Sequence, residues 1–327
     1  MSRLHRLHRL SLLSAAAVLA GCASVSPDGL RGDVSALTAG RTAGVQAAAL
    51  PATDADARSK ARDSIQGWLA QPLTPEAAVR IALLNNPDLQ ARLAALGVAD
   101  AQRVQALTLP NPHLALGQLT NGREREIERT LTFSVLNLIT LPWRTERHAE
   151  RLQIATLQAA QEVVALAADT RRAWLRAAAA EQVAGAHERM VDAAQTGAEL
   201  ARRMVRVGNW SRLQQAREQL VVQEATRQHA RARWAAATER EQLNRRMGVW
   251  GLQAQYQLAA SLPPLPAAAL PADGLEATAL RERLDIQTAR RQLDTEAREQ
   301  GWSRAGAVFG DIGLAYRRNT TTEGETG

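Results

Sequence analysis

The sequence predicts a mainly α-helical fold with short β-hairpins, built from long antiparallel coiled-coil helices and from strands long enough for a transmembrane β-barrel. Two observations predict it. Residues 143–206 contain no proline and only two glycines, Gly185 and Gly197. Residues 130–140 alternate between apolar and polar side chains, as a strand with one buried face does.

The proline-free arm at residues 143–206 would extend roughly 95 Å at 1.5 Å per residue. A helix of that length needs other helices beside it. Its apolar residues step by three and four along two registers, which is the coiled-coil pattern. The first register is Leu152, Ala155, Ala159, Val163 and Leu166, and the second is Ile154, Leu157, Gln161, Val164, Ala168, Arg171, Leu175 and Ala178. Two registers on one helix predict neighbours on both sides.

The chain then reverses, giving a long helical hairpin at residues 142–247. We expect Gly208 to supply a left-handed helix end and Ser211 to cap the returning helix. The return arm repeats the coiled-coil spacing. Its register is Leu213, Ala216, Leu220, Gln223, Arg227, Ala230, Trp234 and Ala237.

The N-terminus has the pattern of a secretory signal. Residues 1–9 are basic, and residues 10–20 are an apolar run too short to span a bilayer. The run ends in Leu19-Ala20-Gly21-Cys22, which resembles the bacterial lipobox. We therefore expect residues 1–21 to be removed and Cys22 to be acylated, for example with palmitate. The alternative is a chance cysteine after an ordinary signal peptide. Residues 22–70 are predicted to be a lipid-anchored leader, extended or partly ordered.

The first repeat, residues 71–247, is predicted to begin with a helix. Thr74 is its expected cap, Pro75 its first residue, and Pro87 a kink. A hairpin at residues 113–140 follows, with strands at 113–119 and 130–140 around a polar loop. Each strand is about the length that crosses a bilayer in a tilted barrel. A small soluble hairpin packed on the helices is the alternative interpretation.

An internal repeat organises the rest of the chain. Asn86-Pro87-Asp88-Leu89-Gln90-Ala91-Arg92 matches Arg283-Leu284-Asp285-Ile286-Gln287-Thr288-Ala289. Residues 248–274 form a proline-rich linker between the two copies. Residues 275–327 are predicted to be the start of a second repeat, a helix to about residue 304 and a strand at 308–317. The missing remainder predicts truncation relative to a complete gene product.

Several function classes are not supported by the sequence. The net charge is +7, but arginines alternate with Glu and Gln along helices, so no nucleic-acid-binding stripe is present. No phosphate-binding loop, nucleophile elbow or zinc motif occurs. We therefore predict a protein that is not an enzyme and has no cofactor, no metal site and no nucleic-acid partner.

The order of these segments resembles the TolC-type outer-membrane efflux factors, in the lipoprotein branch. The matching motifs are Leu73-Thr74-Pro75-Glu76-Ala77, Asn86-Pro87-Asp88-Leu89, Leu109-Pro110-Asn111-Pro112, the turn at Gly208, Leu262-Pro263-Pro264-Leu265-Pro266 and Arg283-Leu284-Asp285-Ile286. The resemblance implies a homotrimer in the cell outer membrane, with a shared β-barrel and a periplasmic helical tunnel. It also implies a periplasmic adaptor and an inner-membrane pump as partners.

Within that family the turn between the long helices is the end that meets the adaptor. The corresponding candidate residues here are Arg203, Arg206, Gly208, Asn209, Trp210, Ser211 and Arg212. Family members often carry Arg and then an aromatic residue where this chain has Met204 and Val205. The resemblance implies a passive conduit for small toxic solutes. The tip segment, residues 207–213, resembles metal-resistance members of the family, which favours heavy metals such as copper as the cargo. The alternative is a periplasmic coiled-coil lipoprotein acting as an adaptor or spacer without a barrel.

Overall fold

A computed structural model of the protein describes residues 24–42, 45, 50–51, 54–108, 111–121, 124–134, 140–265, 267–268, 273–309 and 313–323. The predicted signal peptide and Cys22 lie outside these residues, as do Leu109, Pro110 and Pro266 of the quoted motifs. Two compact units are present. The first contains residues 95–156 and 286–327 with the described part of residues 1–30, and the second contains residues 31–94 and 157–285.

Helices make up most of the described chain. The first four are α1 (Arg31–Thr38), α2 (Ala55–Leu69), α3 (Pro75–Asn85) and α4 (Pro87–Leu107). Strands β1 (His113–Asn121) and β2 (Glu124–Ser134) follow. The long pair is α5 (Leu141–Arg206) and α6 (Arg212–Met247), and a 3-10 turn at Gly251–Ala254 comes after it. The last elements are α7 (Leu275–Glu282), α8 (Leu284–Phe309) and β3 (Gly313–Glu323). None of the described helices is both long and apolar enough to cross a bilayer.

The predicted leader contains more helix than its composition indicates. Helices α1 and α2 both lie within the predicted leader. Helix α2 is stabilised by Asp54, whose side chain accepts from the Ala57 N–H. Each helix also buries an apolar side chain, Val34 in α1 and Ile65 in α2. One buried apolar residue on each of these short polar helices gives no clear periodicity in the sequence. The stretch before α1 is held in the first unit, where the Ser26 N–H donates to Asp100 Oδ2 at 2.6 Å.

The three strands of the first unit form one antiparallel sheet in the order β1-β2-β3. Strand β2 begins at Glu124, earlier than the predicted residue 130, and residues 135–139 lie outside the described chain. The predicted polar loop is therefore mostly strand, because its charged residues pair across the ladder: Arg125 donates to Gln118 Oε1 at 2.7 Å. One rung aligns Leu114, Leu131 and Tyr316, whose side chains are all exposed.

Two helix predictions need adjustment. The helix predicted from residue 275 to about 304 is interrupted at Arg283, whose ψ of 126° is extended. Helix α8 then continues to Phe309, so β3 begins at Gly313 rather than near residue 308. In the first repeat the corresponding kink is a complete break, since α3 ends at Asn85 and α4 begins at Pro87.

Ion pairs link α5 and α8 within the first unit. Glu299 accepts from Arg147 at 3.1 Å and from Arg151 at 3.0 Å. Glu150 pairs with Arg291 at 3.1 Å. Because these side chains are partly exposed, each pair contributes little to stability.

The core of the second unit surrounds Trp174, which is completely buried. Its Nε1–H donates to the Leu73 carbonyl at 2.8 Å, and the same carbonyl accepts from the Ala259 N–H. The cluster draws on α2, α3, α5, α6 and the linker: Ile65, Leu73, Ala78, Ile81, Ala173, Trp174, Ala177, Ala178, Leu243, Met247, Val249 and Tyr256. The proline-rich linker is thus tied into the core of this unit, through the paired backbones of Leu73 and Leu258.

Candidate functional site

The reversal between α5 and α6 is a Schellman turn. The Asn209 N–H donates to the Met204 carbonyl at 2.9 Å, and the Gly208 N–H donates to the Val205 carbonyl at 3.1 Å. Gly208 has a φ of 78°, which is the left-handed conformation that glycine adopts without strain. The predicted role of Gly208 as the helix-ending residue is confirmed.

Ser211 begins the returning helix with a complete capping box. Its Oγ accepts from the Gln214 N–H at 3.2 Å, and the Gln214 side chain accepts from the Ser211 N–H at 2.8 Å. The predicted cap is therefore correct, and Gln214 is a partner that the sequence reading missed. A Ser followed three residues later by Gln was the available signal.

Arginines surround the turn, and two of them are paired. Arg202 and Arg203 contact the Glu199 carboxylate at 2.9 and 3.0 Å. The hydrogen bond from Arg203 and the charge of Arg202 lower the pKa of Glu199, so it stays ionised. Arg206 and Arg212 are exposed on either side of the turn. The local surface therefore carries more positive than negative charge.

The predicted tip residues do lie together at one end of the helical pair. All are exposed except Trp210, which is half-buried. The Trp210 N–H also donates to the Met204 carbonyl, at 3.3 Å. Such a surface, with rigid backbone and exposed guanidinium groups, is suited to binding another protein rather than to chemistry. Within the described part of the chain, no group of three or more His, Cys, Asp or Glu residues is placed to hold a metal ion.

Helix α6 carries two registers with coiled-coil spacing, and the sequence reading found only the one that faces away from α5. The register towards α5 is Gln215, Glu218, Val222, Ala225, His229, Ala232, Ala236, Glu239 and Leu243, all buried or half-buried. Glu239 pairs with Arg176 of α5 at 3.4 Å. Arg240, beside this register, pairs with Glu181 at 2.7 Å. The contact between the two long helices thus combines apolar side chains such as Ala232, Ala236 and Leu243 with ion pairs.

The predicted register on α6 is exposed at every position, from Leu213 to Ala237. Leu220 is 63% and Trp234 is 73% exposed. On α5 both predicted registers are buried or half-buried at every position except Gln161. A further row of buried residues lies between them: Ala160, Ala167, Thr170, Trp174 and Ala177. Further along α5, Val183, Met190 and Leu200 are at least half exposed. Apolar faces of the long hairpin are therefore left without a partner within the described chain.

The chain matches no family model and no curated protein sequence. Solved outer-membrane channels do match its structure. CusC aligns with a TM-score of 0.62 at 18% identity over 77% of this chain. The CusC structures concern the conformational changes that accompany its folding and transmembrane channel formation. The outer-membrane channel CmeC of Campylobacter jejuni aligns with a TM-score of 0.62 at 12% identity over 77% of this chain. The MtrE outer-membrane channel of Neisseria gonorrhoeae gives 0.57 at 17% identity over 76%.

The chain has the TolC-type outer-membrane channel fold. The predicted resemblance is confirmed at the level of the fold. The chain spans 60% of the length of CusC, 61% of CmeC and 63% of MtrE. The Schellman turn is the end of the long helical pair and belongs to the second unit, whereas the sheet belongs to the first unit.

Proposed function

We propose that the protein is the outer-membrane component of a tripartite efflux system, anchored through lipidated Cys22. It acts as a passive homotrimeric conduit for small toxic solutes, with heavy-metal ions such as copper as the favoured cargo. A periplasmic adaptor protein and an inner-membrane pump are its partners. The single observation that carries the proposal is the exposed apolar register on α6, on a chain with the TolC-type fold.

The exposed register on α6 favours contact with helices of other copies of the chain. Its residues repeat every three and four positions over seven intervals, from Leu213 to Ala237, which is the spacing of a helix that supercoils with a neighbour. Leaving Leu213, Leu220 and Trp234 in water is unfavourable, because burying each large apolar side chain gains about 1.5–3 kcal/mol. Neighbouring copies of the chain would cover this face and close a tunnel.

The sheet supports the same proposal. Leu114, Leu116 and Tyr316 are 64%, 71% and 65% exposed, and Leu114 and Tyr316 share a rung through Leu131. An exposed apolar rung at one end of an open sheet fits contact with lipid. Because an open edge cannot exist in hydrocarbon, strands from other copies would have to complete the sheet.

Introducing charge into the exposed register should prevent assembly. We expect Trp234→Glu and Ala237→Glu to abolish the heat-sensitive trimer band in outer-membrane fractions, because a carboxylate would be buried without a partner in the helix contact. Ala235→Glu is the matched control: Ala235 is also exposed but lies outside both registers. Trimers in all three variants would argue against tunnel assembly through this face. No trimer in the unmodified protein would favour the periplasmic spacer instead.

The tip is the surface that we propose for the adaptor. Gly208→Trp should abolish resistance to the exported toxicant while trimers still form. No heavy atom lies within 4 Å of a Cβ built on Gly208, so the cost is confined to the left-handed backbone and to the surface presented. Gly208→Asn is the control, since asparagine tolerates this conformation. Resistance is measured as the minimum inhibitory concentration of copper and of a panel of drugs. Full resistance in the Trp variant would contradict the assignment.

A further inference from the structure

An open cavity of about 550 Å³ lies in the second unit between α1, α2 and the break between α3 and α4. This volume is within the range of about 300–1,000 Å³ typical of small-molecule sites. Three arginines line it, Arg31 from α1 and Arg58 and Arg62 from α2. The described residues of its lining include no Asp or Glu. Among the described lining residues, the ionisable side chains are therefore all cationic.

The arginines and the aspartates of α2 lie on different faces of the helix. At 3.6 residues per turn, Arg58 and Arg62 share a face with Ile65, and all three line the cavity. Asp56 and Asp63 belong to the opposite face and are not part of the lining. Like charges four residues apart destabilise a helix. A bound anion would offset that cost.

Backbone carbonyls orient two of the three guanidinium groups. The Arg31 Nε–H donates to the Pro51 carbonyl at 2.5 Å. The Arg58 Nε–H donates to the Asp54 carbonyl at 3.2 Å. A guanidinium held in this way through Nε keeps its planar, forked donor geometry, which matches the oxygens of a phosphate or a carboxylate.

Apart from Asn85 and Gln90, the remaining described lining residues are apolar. Ile65 is 3% exposed, Leu84 is half-buried, and Ala61 and Ala94 add small side chains. An occupant that carried only charge would leave this surface unused.

We propose that the cavity binds a small amphipathic oxyanion, with its phosphate or carboxylate on Arg31, Arg58 and Arg62 and its apolar part on Ile65 and Leu84. This site is independent of the proposed conduit function. It lies in the unit formed by residues 31–94 and 157–285 and uses none of the tip residues.

The test measures binding of hexyl phosphate to the purified full chain by isothermal titration calorimetry at low salt, with hexanol as the uncharged probe. We expect hexyl phosphate to bind and hexanol not to bind. Arg58→Gln and Arg62→Gln should each weaken binding about tenfold, the size expected for losing one charge-assisted hydrogen bond. Lys60→Gln is the matched control, because Lys60 is an exposed cation of the same helix outside the lining.

A second arm identifies the source of the anion. Vesicles that contain phosphatidylglycerol should compete with hexyl phosphate if the natural occupant is a lipid headgroup, whereas a free metabolite site leaves the titration unchanged. Equal binding by Arg58→Gln, Arg62→Gln and Lys60→Gln would overturn the proposal. Equal binding of hexanol and hexyl phosphate to the unmodified chain would also overturn it, whether or not the variants fold.

Discussion

Gly248→Ala is expected to lower the free energy of unfolding by about 2–5 kcal/mol. Gly248 has a φ of 67°, and an L-residue there pays the strain of the left-handed conformation, about 1–2 kcal/mol. A Cβ would also lie 2.7 Å from the Asn85 carbonyl oxygen and 3.1 Å from Pro87 Cδ. Both contacts are too close, so the backbone at the break between α3 and α4 would have to move.

That movement is resisted by hydrogen bonds at the end of α6. The Asn85 side-chain amide donates to the Met247 carbonyl at 3.1 Å and to the Gly248 carbonyl at 2.7 Å. The Asn86 amide donates to the Arg246 carbonyl at 3.0 Å. These bonds satisfy carbonyls that a helix C-terminus otherwise leaves without partners. Displacing the break would lose them.

Gly251→Ala separates the two causes. Gly251 has a φ of 60°, close to that of Gly248, but a Cβ there meets nothing within 4 Å. Its substitution should cost only the backbone strain, about 1–2 kcal/mol. Urea unfolding followed by circular dichroism measures both variants. If the two alanine variants lose the same stability, the close approach to Asn85 is not what selects glycine at position 248.

Helix caps and helix ends could be predicted from the sequence, because the groups that form them lie within a few residues of one another. Thr74 accepts from the Ala77 N–H, Ser211 caps α6, and Gly208 ends α5 in the left-handed conformation. Each depends on residue type and a spacing of at most four. The partners of Asn85 and Asn86 are about 160 residues away in the chain. No spacing rule could have predicted that this motif caps the end of α6.

The registers of the long hairpin show a second limit on what can be predicted from the sequence. Apolar spacing predicts that a face of α6 is suited to burial, but it does not say which partner would bury it. The more apolar register from Leu213 to Ala237 is exposed, while a mixed register that includes Gln215, Glu218 and His229 faces α5. Polar residues suit that contact because salt bridges such as Arg240 to Glu181 pair them across it. Hydrophobicity alone therefore identifies the exposed face of α6, where we propose contact with neighbouring copies, and not the face that contacts α5.

At the tip, the sequence predicted which residues come together but not their electrostatics. The predicted contact surface contains Arg203 but not Glu199. The structure pairs Arg203 with Glu199 four residues earlier on α5. A spacing of four on one helix was a usable signal. By contrast, Arg206 and Arg212 belong to the end of one helix and the start of the next, and only the closed turn brings them to one surface.

Trp174→Ala should cost about 3–5 kcal/mol of unfolding free energy, the range for removing a large buried aromatic side chain. Trp174 is 0% exposed and belongs to the cluster that also contains Leu73, Met247 and Tyr256. Its removal would leave a cavity where α3, α5, α6 and the linker meet. Few small shifts could fill that space, because the surrounding elements are tied to one another through the Leu73 backbone.

Two comparisons isolate the cause of that loss. Trp250→Ala makes the same change at a residue that is 81% exposed, so its stability should stay within about 0.5 kcal/mol of the unmodified protein. Trp174→Phe keeps most of the ring but loses the donor to the Leu73 carbonyl, which still accepts from Ala259 at 3.2 Å. It should therefore lose less than half as much as Trp174→Ala. If Trp174→Phe is as damaging as Trp174→Ala, the hydrogen bond to Leu73 dominates, and the packing account of this core is wrong.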